Sequence, residues 1–90
     1  MTVDGTATGT TVVVRYFAAA RAAAGTAEET LPGGRTLDDL VAELTDRHGA
    51  QLGKVLGLAS FLVDGVACHD REALLPPGAT IDVLPPFAGG

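Results

Sequence analysis

The sequence predicts a small α+β domain in which a mixed sheet of four or five strands packs against one main helix. Three observations lead to this prediction. Runs of β-branched and aromatic residues, typical of strands, occupy residues 11–17 and 80–84 near the two ends of the chain. A long amphipathic segment follows Thr36, and the pair Asp64-Gly65 is typical of a tight hairpin turn. The 90 residues are enough for one domain.

The first third of the chain predicts a wide hairpin. Both faces of the strand over residues 11–17 are largely apolar, so we expect it to lie inside the sheet. The alanine-rich residues 18–24, with Gly25 just beyond them, predict a short helix. Residues 28–31 predict a brief second strand that ends before a Pro-Gly-Gly turn. Residues 1–10 are rich in Thr and Gly without periodicity and are expected to be a flexible lead-in.

The middle of the chain predicts the main helix. The hydroxyl of Thr36 can cap its first turn, and Asp39 three residues later resembles the second half of a capping box. Gly49 is expected to end the helix. The residues with the spacing of one buried stripe are Leu37, Leu40, Val41 and Leu44.

The last third of the chain predicts a hairpin and a final strand. Residues 52–58 are expected to form a short helical turn, and residues 60–63 and 66–68 are expected to be the strands of the hairpin. The final strand at 80–84 ends at Pro85, because proline has no N–H to donate to a neighbouring strand.

This order of elements predicts a β-grasp, or ubiquitin-like, arrangement. A helix that follows a hairpin must cross the sheet, so the last strand can lie beside the first, with both inside the sheet. The prediction places the domain at residues 11–84, after the lead-in, and leaves residues 85–90 as an extended C-terminal tail.

Composition and charge limit the classes of function. The net charge is −5 and the six basic residues are scattered, which argues against nucleic acid as a partner. Cys68 is the only cysteine, so an internal disulfide and a four-thiolate metal site are excluded, and we expect no metal. The sequence shows no secretory pattern and no apolar run near the ~20 residues that span a bilayer. We therefore expect a cytoplasmic protein without a membrane partner.

The tail has the chemistry of a reactive arm. It reads Pro85-Pro86-Phe87-Ala88-Gly89-Gly90. The prolines favour an extended chain, which would reach roughly 20 Å at about 3.3–3.6 Å per residue. Two glycines without Cβ atoms can enter a channel that would exclude a side chain. The alternative is a frayed terminus without a function.

Four segments carry a resemblance to a known family. They are residues 14–21 (VRYFAAAR) followed by Gly25, the helix at 37–44, residues 63–65 (VDG) and residues 83–90 (VLPPFAGG). Together they resemble MoaD, the small subunit of molybdopterin synthase, within the MoaD/ThiS group of ubiquitin-like sulfur carriers. The resemblance covers residues 11–90. Relatives often carry an acidic residue where this chain has Ala22.

The resemblance implies a function for the end of the tail. A MoeB-like E1 enzyme would use ATP to adenylate the carboxylate of Gly90, and a sulfur donor protein would convert it to a thiocarboxylate. The tail would then enter a MoaE-like large subunit and give its sulfur to cyclic pyranopterin monophosphate. Gly89 would let the tail pass the constriction. The chain itself would bind no cofactor and would be a non-catalytic subunit.

The resemblance also implies contacts with the partners. Pro86, Phe87 and Ala88 would dock the base of the tail. Arg21 would pair with carboxylates of a partner, or would only be solvated at the end of its short helix. For Phe87 the alternative is that it folds back onto the core of its own domain.

Other functions remain open at this point. The chain could carry sulfur for thiazole or cysteine synthesis, or be a ubiquitin-like modifier of lysines, or be a passive binding module. The run Cys68-His69-Asp70 has the residue types of a catalytic triad. Neighbours on a strand point to opposite faces, however, so we expect Cys68 to be a small buried group. His48 is expected to interact with the dipole at a helix end rather than with a metal.

Overall fold

The computed structural model describes residues 10–86 of the chain. In chain order the elements are β1 (Thr11–Tyr16), α1 (Ala19–Ala24), β2 (Glu28–Pro32), α2 (Leu37–His48), α3 (Ala50–Leu58), β3 (Ser60–Val63), β4 (Val66–Ala67) and β5 (Thr80–Leu84). The predicted bounds of the strands and of α1 differ from these by one residue at most. The predicted lead-in lies outside the described residues except for Thr10.

The five strands form one sheet in the order β2-β1-β5-β3-β4. The first and last strands run parallel, with Val14 opposite Ile81, and all other neighbours are antiparallel. This order confirms the predicted β-grasp fold, with β5 as the middle strand. The middle position matters because the chain leaves the domain from the end of β5.

The main helix begins with the capping box that the sequence predicts. The backbone N–H of Asp39 donates to the hydroxyl of Thr36 over 3.1 Å, and the N–H of Thr36 donates to the Asp39 carboxylate over 3.3 Å. Two donors of the first turn are thereby satisfied. The predicted apolar stripe is buried throughout, from Leu37 to Leu44.

The helical segment after Gly49 is longer than predicted. The sequence predicts a short helical turn over residues 52–58, but α3 is a helix of nine residues. Gly49 joins it to α2 with a φ of 100°, a conformation that favours glycine. At Gly53 a Cβ atom would lie 2.8 Å from the Thr45 methyl carbon, so this glycine allows the two helices to approach closely. Leu52 and Leu56 are fully buried.

The core lies between the helices and one face of the sheet. Alternate residues of the strands point into it, and α1, α2 and α3 all contribute to the same cluster. Its fully buried large side chains are Val12, Val14, Tyr16, Leu31, Leu37, Leu40, Leu44, Leu52, Leu56, Ile81 and Val83. Within residues 10–86, no helix has the length and apolar character to cross a bilayer.

Candidate functional site

The chain leaves the sheet at a fixed point. Strand β5 lies between β1 and β3, and Leu84 is opposite Ser60 at its end. Pro85 follows and is buried, whereas Pro86 is exposed. The tail therefore starts from an anchored residue at the end of the middle strand. The other predicted site residues of the tail, Phe87, Ala88, Gly89 and Gly90, lie outside the described residues.

An apolar groove lies beside this exit and is called the tail-base groove below. It has a volume of about 180 Å³ and is lined by Ala19, Val55, Leu58, Pro85 and Pro86. The side chain of Leu58 is 70% exposed although it belongs to the apolar lining. Predicted site residue Pro86 is thus part of an apolar concave surface formed by α1, α3 and the start of the tail.

The face of the sheet that points away from the helices carries a charged pair at its centre. Strand residues that alternate with the core positions point to this face. Arg15 of β1 lies opposite Asp82 of β5, with 2.9 Å between Nε and Oδ1. The guanidinium carbon of Arg15 lies 5.4 Å from the centroid of the Phe17 ring. Leu62 and Leu84, both half-buried, lie on the same face.

Arg21 lies at the end of the sheet where the parallel strands β1 and β5 both end. Its side chain is exposed in the last turn of α1, and it lines a cleft of about 210 Å³ together with Arg15, Phe17 and Glu28. Within residues 10–86, Arg21 forms no ion pair. The exposed position fits both predicted roles, pairing with carboxylates of a partner and simple solvation, and the pairing stays a prediction.

The sequence did not predict a polar cluster that lies between strands β1 and β2 and the end of helix α2. Both the hydroxyl of Tyr16 and the Nε2 atom of His48 lie within hydrogen-bond distance of one carboxylate oxygen of Glu29. Arg47 donates to the other oxygen over 3.3 Å. The rings of Tyr16 and His48 meet edge to face, with centroids 6.0 Å apart. The cluster joins β1, β2 and the end of α2.

The electrostatics of this cluster follow from its burial and hydrogen bonds. Burial of Glu29 opposes its ionisation, but hydrogen bonds to Tyr16 and His48 and the nearby positive charges outweigh that effect. The pKa of Glu29 is therefore held below its ordinary value. Burial, together with the hydrogen bond to Glu29 and its negative charge, raises the pKa of Tyr16 far above its ordinary value. Through these contacts the cluster links strands β1 and β2 to the end of helix α2.

The run around Cys68 shows no catalytic arrangement. Cys68 is half-buried against the core, and its thiol lies 3.5 Å from the backbone carbonyl oxygen of Asp70. His69 and Asp70 are exposed. Within the described residues, no group of three His, Cys, Asp or Glu side chains is placed to hold a metal ion.

This geometry defines a class of protein, the ubiquitin-like β-grasp domain with a tail anchored at the end of its middle strand. The ThiS family model matches residues 14–90, and the chain belongs to the ThiS family. Among proteins of curated function, none matches the sequence significantly.

Solved structures agree with this assignment. A protein from Pyrococcus furiosus that carries the provisional name molybdopterin converting factor, subunit 1, is 28% identical with a TM-score of 0.75, over 88% of this chain and 100% of that one. The small archaeal modifier protein 1 from Methanosarcina acetivorans is 30% identical with a TM-score of 0.74, over 90% of this chain and 97% of that one. Its Haloferax volcanii counterpart, at 22% identity and a TM-score of 0.73 over 89% and 99% of the two chains, supports the fold. The chain therefore has the fold shared by MoaD/ThiS-type carriers and ubiquitin-like modifiers.

Proposed function

We propose that this protein is a sulfur carrier, the small subunit of a molybdopterin synthase, with Gly90 as the C-terminal residue that carries the sulfur. The observation that carries the proposal is the extent of the family match, which continues past the anchored exit at Pro85 to residue 90. The likeness to the Pyrococcus furiosus protein named for molybdopterin conversion supports this pathway among those that use such carriers.

The chemistry at Gly90 takes place in two steps. A terminal carboxyl group has an ordinary pKa of about 3.5, so it is ionised at neutral pH. Its oxygen attacks the α-phosphorus of ATP and displaces pyrophosphate, which gives an acyl-adenylate. A hydrosulfide-level nucleophile then attacks the acyl carbon and displaces AMP. A C–S bond replaces the C–O bond to AMP, one proton is released, and the product is a thiocarboxylate.

The remaining proposed site residues deliver this group. Gly89 passes the narrow channel of the partner because it has no Cβ atom. Pro86, Phe87 and Ala88 contact the partner at the channel entrance. Arg21, exposed in the last turn of α1, pairs with carboxylates of the partner. None of these residues transfers a proton or attacks a substrate, so the chain supplies the sulfur and the partners supply catalysis.

The proposed partners follow from this division of work. Carriers of this type work with partner enzymes, and here we propose a MoeB-like adenylating enzyme, a sulfur donor protein and a MoaE-like large subunit. ATP belongs to the adenylating enzyme, and the carrier itself binds no cofactor. The proposed location is the cytoplasm, where these enzymes and ATP are available.

Reconstitution tests the pathway. The thiocarboxylated protein is mixed with a MoaE-like large subunit and cyclic pyranopterin monophosphate, and in a parallel reaction with a thiazole synthase and its substrates. The proposal expects molybdopterin in the first reaction, with return of the carrier to its carboxylate form. Product in the thiazole reaction alone would assign the carrier to the other pathway and overturn the proposal.

A second candidate is a ubiquitin-like protein modifier. The 30% identity to the small archaeal modifier protein 1 of Methanosarcina acetivorans favours it. In this case the adenylated Gly90 would react with a lysine amine instead of a sulfur nucleophile. Mass spectrometry of cell proteins would then find lysines joined through an isopeptide bond to the Gly-Gly end of this chain.

A further inference from the structure

A second cleft lies beside the start of β3 and is called the Arg71 cleft below. It has a volume of about 250 Å³, and its lining includes Ser60, Phe61, His69 and Arg71. Ser60 is opposite Leu84, which places the cleft at the end of the sheet where the chain leaves β5. The cleft shares no lining residue with the tail-base groove or with the cleft of Arg21.

The polar lining of the Arg71 cleft consists of donors and contains no carboxylate. Arg71 supplies a guanidinium, His69 a ring N–H and Ser60 a hydroxyl. Within residues 10–86, the hydroxyl of Ser60 and the ring of His69 form no hydrogen bond, and both residues are exposed. The chain has a net charge of −5, so a cleft with a cation and no acidic side chain does not follow from the composition.

Arg71 is held in position but is only partly paired. Its guanidinium carbon lies 5.6 Å from the centroid of the Phe61 ring, within the range of a cation–π contact. Its ion pair with Asp38 spans 3.4 Å, and the Asp38 side chain is 65% exposed, so this pair contributes little. The Nε atom of Arg71 is buried and has no hydrogen-bond partner within the described residues. A buried donor without an acceptor costs free energy, and a bound acceptor would recover it.

We propose that the Arg71 cleft binds a phosphate group. The guanidinium of Arg71 neutralises the charge, and His69 and Ser60 donate to further oxygens. Ser60 begins β3 whereas His69 and Arg71 follow β4, so the donors come from two separate segments. A tetrahedral phosphate presents oxygens in several directions and suits such a set better than a planar carboxylate. This binding does not depend on the proposed function.

The size of the cleft allows a phosphate ester as well as the free ion. Its volume is several times the ~30 Å³ that a water molecule occupies in the liquid. Ala59, Phe61 and Ala67 form the apolar part of the lining and can contact the organic part of an ester. Inorganic phosphate and AMP are therefore the two probes, and tighter binding of AMP identifies an ester as the ligand, whereas equal or weaker binding identifies the free ion.

NMR titration of the full-length protein tests the site without any partner enzyme. Each probe is added at constant ionic strength, and sodium acetate is added in a parallel series. We expect saturable shifts of the Arg71 Nε–H signal and of the backbone N–H signals of Ser60 and His69 with phosphate, and weaker shifts with acetate. Shifts that do not saturate, that lie elsewhere in the domain or that acetate reproduces at the same concentrations would overturn the proposal.

Two matched variants separate a specific site from general attraction of an anion. Arg71→Gln is expected to weaken phosphate binding about tenfold or more, because a hydrogen-bonded charge is lost. Lys54→Gln removes the same charge from an exposed position of α3 outside the cleft and should bind as the wild type does. Equal weakening in both variants would contradict the proposal.

The two exposed donors give a test that does not depend on the folding of Arg71→Gln. Ser60→Ala and His69→Ala each remove one donor of the cleft, and each is expected to weaken phosphate binding roughly two- to tenfold. Wild-type affinity in both variants would overturn the proposed set of donors. Because no carrier chemistry is measured, this failure is distinct from a failure of the proposed function.

Discussion

At the scale of single residues, Glu29 is the point where three elements of the fold meet. Its carboxylate accepts hydrogen bonds from Tyr16 on β1 and from Arg47 on α2, and it lies beside His48. The sequence could not predict this cluster, because its members are separated by 13 and 19 residues and only the fold brings them together. From the local sequence, Glu29 is only a residue of a brief strand, and His48 is explained by the dipole at the end of its helix.

The lowered pKa of Glu29 predicts a pH dependence of stability. Its ionised form is favoured in the folded state, so its contribution is fully present above the ordinary pKa of 4.5 and is lost as pH falls through the lower folded value. Glu29→Gln is therefore expected to lower the free energy of unfolding by about 1–2 kcal/mol at neutral pH. The variant should also show a weaker loss of stability below about pH 4.5 than the wild type.

Urea unfolding between neutral and acidic pH checks this prediction, and Glu28→Gln is the matched control. Glu28 is the neighbouring residue of β2 and its side chain is exposed. If both substitutions change the unfolding midpoint equally at every pH, the stabilising role of the Glu29 cluster is wrong.

At the scale of elements, the sequence predicts the sheet better than it predicts α3. The strands have strong composition and turn signals, and the parallel pairing of β1 with β5 follows from the crossing helix. Helix α3 contains Gly53 and Gly57, which lower the helix propensity of the segment. The packing of Leu52 and Leu56 overrides that propensity, and packing against a distant part of the chain leaves little local signal.

The buried face of α3 predicts a large effect for one substitution. Leu52 is fully buried, so Leu52→Ala is expected to reduce the free energy of unfolding by about 2–5 kcal/mol. Leu58→Ala on the exposed face of the same helix should change it by only about 0.5 kcal/mol or less. Thermal and chemical denaturation of the two variants measure the difference. Equal destabilisation would contradict the assignment of the two faces.

At the scale of the whole molecule, the folded domain and the tail have separate roles. The sheet and helices hold Pro85 at a fixed exit, and the tail beyond it supplies the reactive group in the proposed function. The sequence predicts this division from a strand that ends at two prolines and is followed by two glycines, with a frayed terminus as the alternative. It does not predict the tail-base groove, because Val55 and Leu58 are brought to the prolines only by the packing of α3.

The proposed channel predicts that a single methyl group in the tail blocks function. Gly89→Ala is expected to reduce sulfur transfer to the pterin substrate roughly a hundredfold, the size of effect that a misplaced reacting group produces. The stability of the domain should not change, because residue 89 follows the last strand. Gly57→Ala, which adds the same methyl group at an exposed position of α3 with no atom within 4 Å, is the matched control and should retain transfer. Wild-type transfer by Gly89→Ala, measured as molybdopterin formed per carrier, would refute a narrow channel at this residue.

The central claim is that the terminal carboxylate of this chain becomes a thiocarboxylate. The most direct test is the intact mass of the full-length protein after incubation with ATP, a MoeB-like enzyme and a sulfur donor. The account predicts a mass increase equal to the replacement of one oxygen by one sulfur, located at Gly90 by fragmentation and absent from a variant without Gly90. An unchanged mass, under conditions in which the same enzymes thiocarboxylate another carrier of this type, would contradict the account.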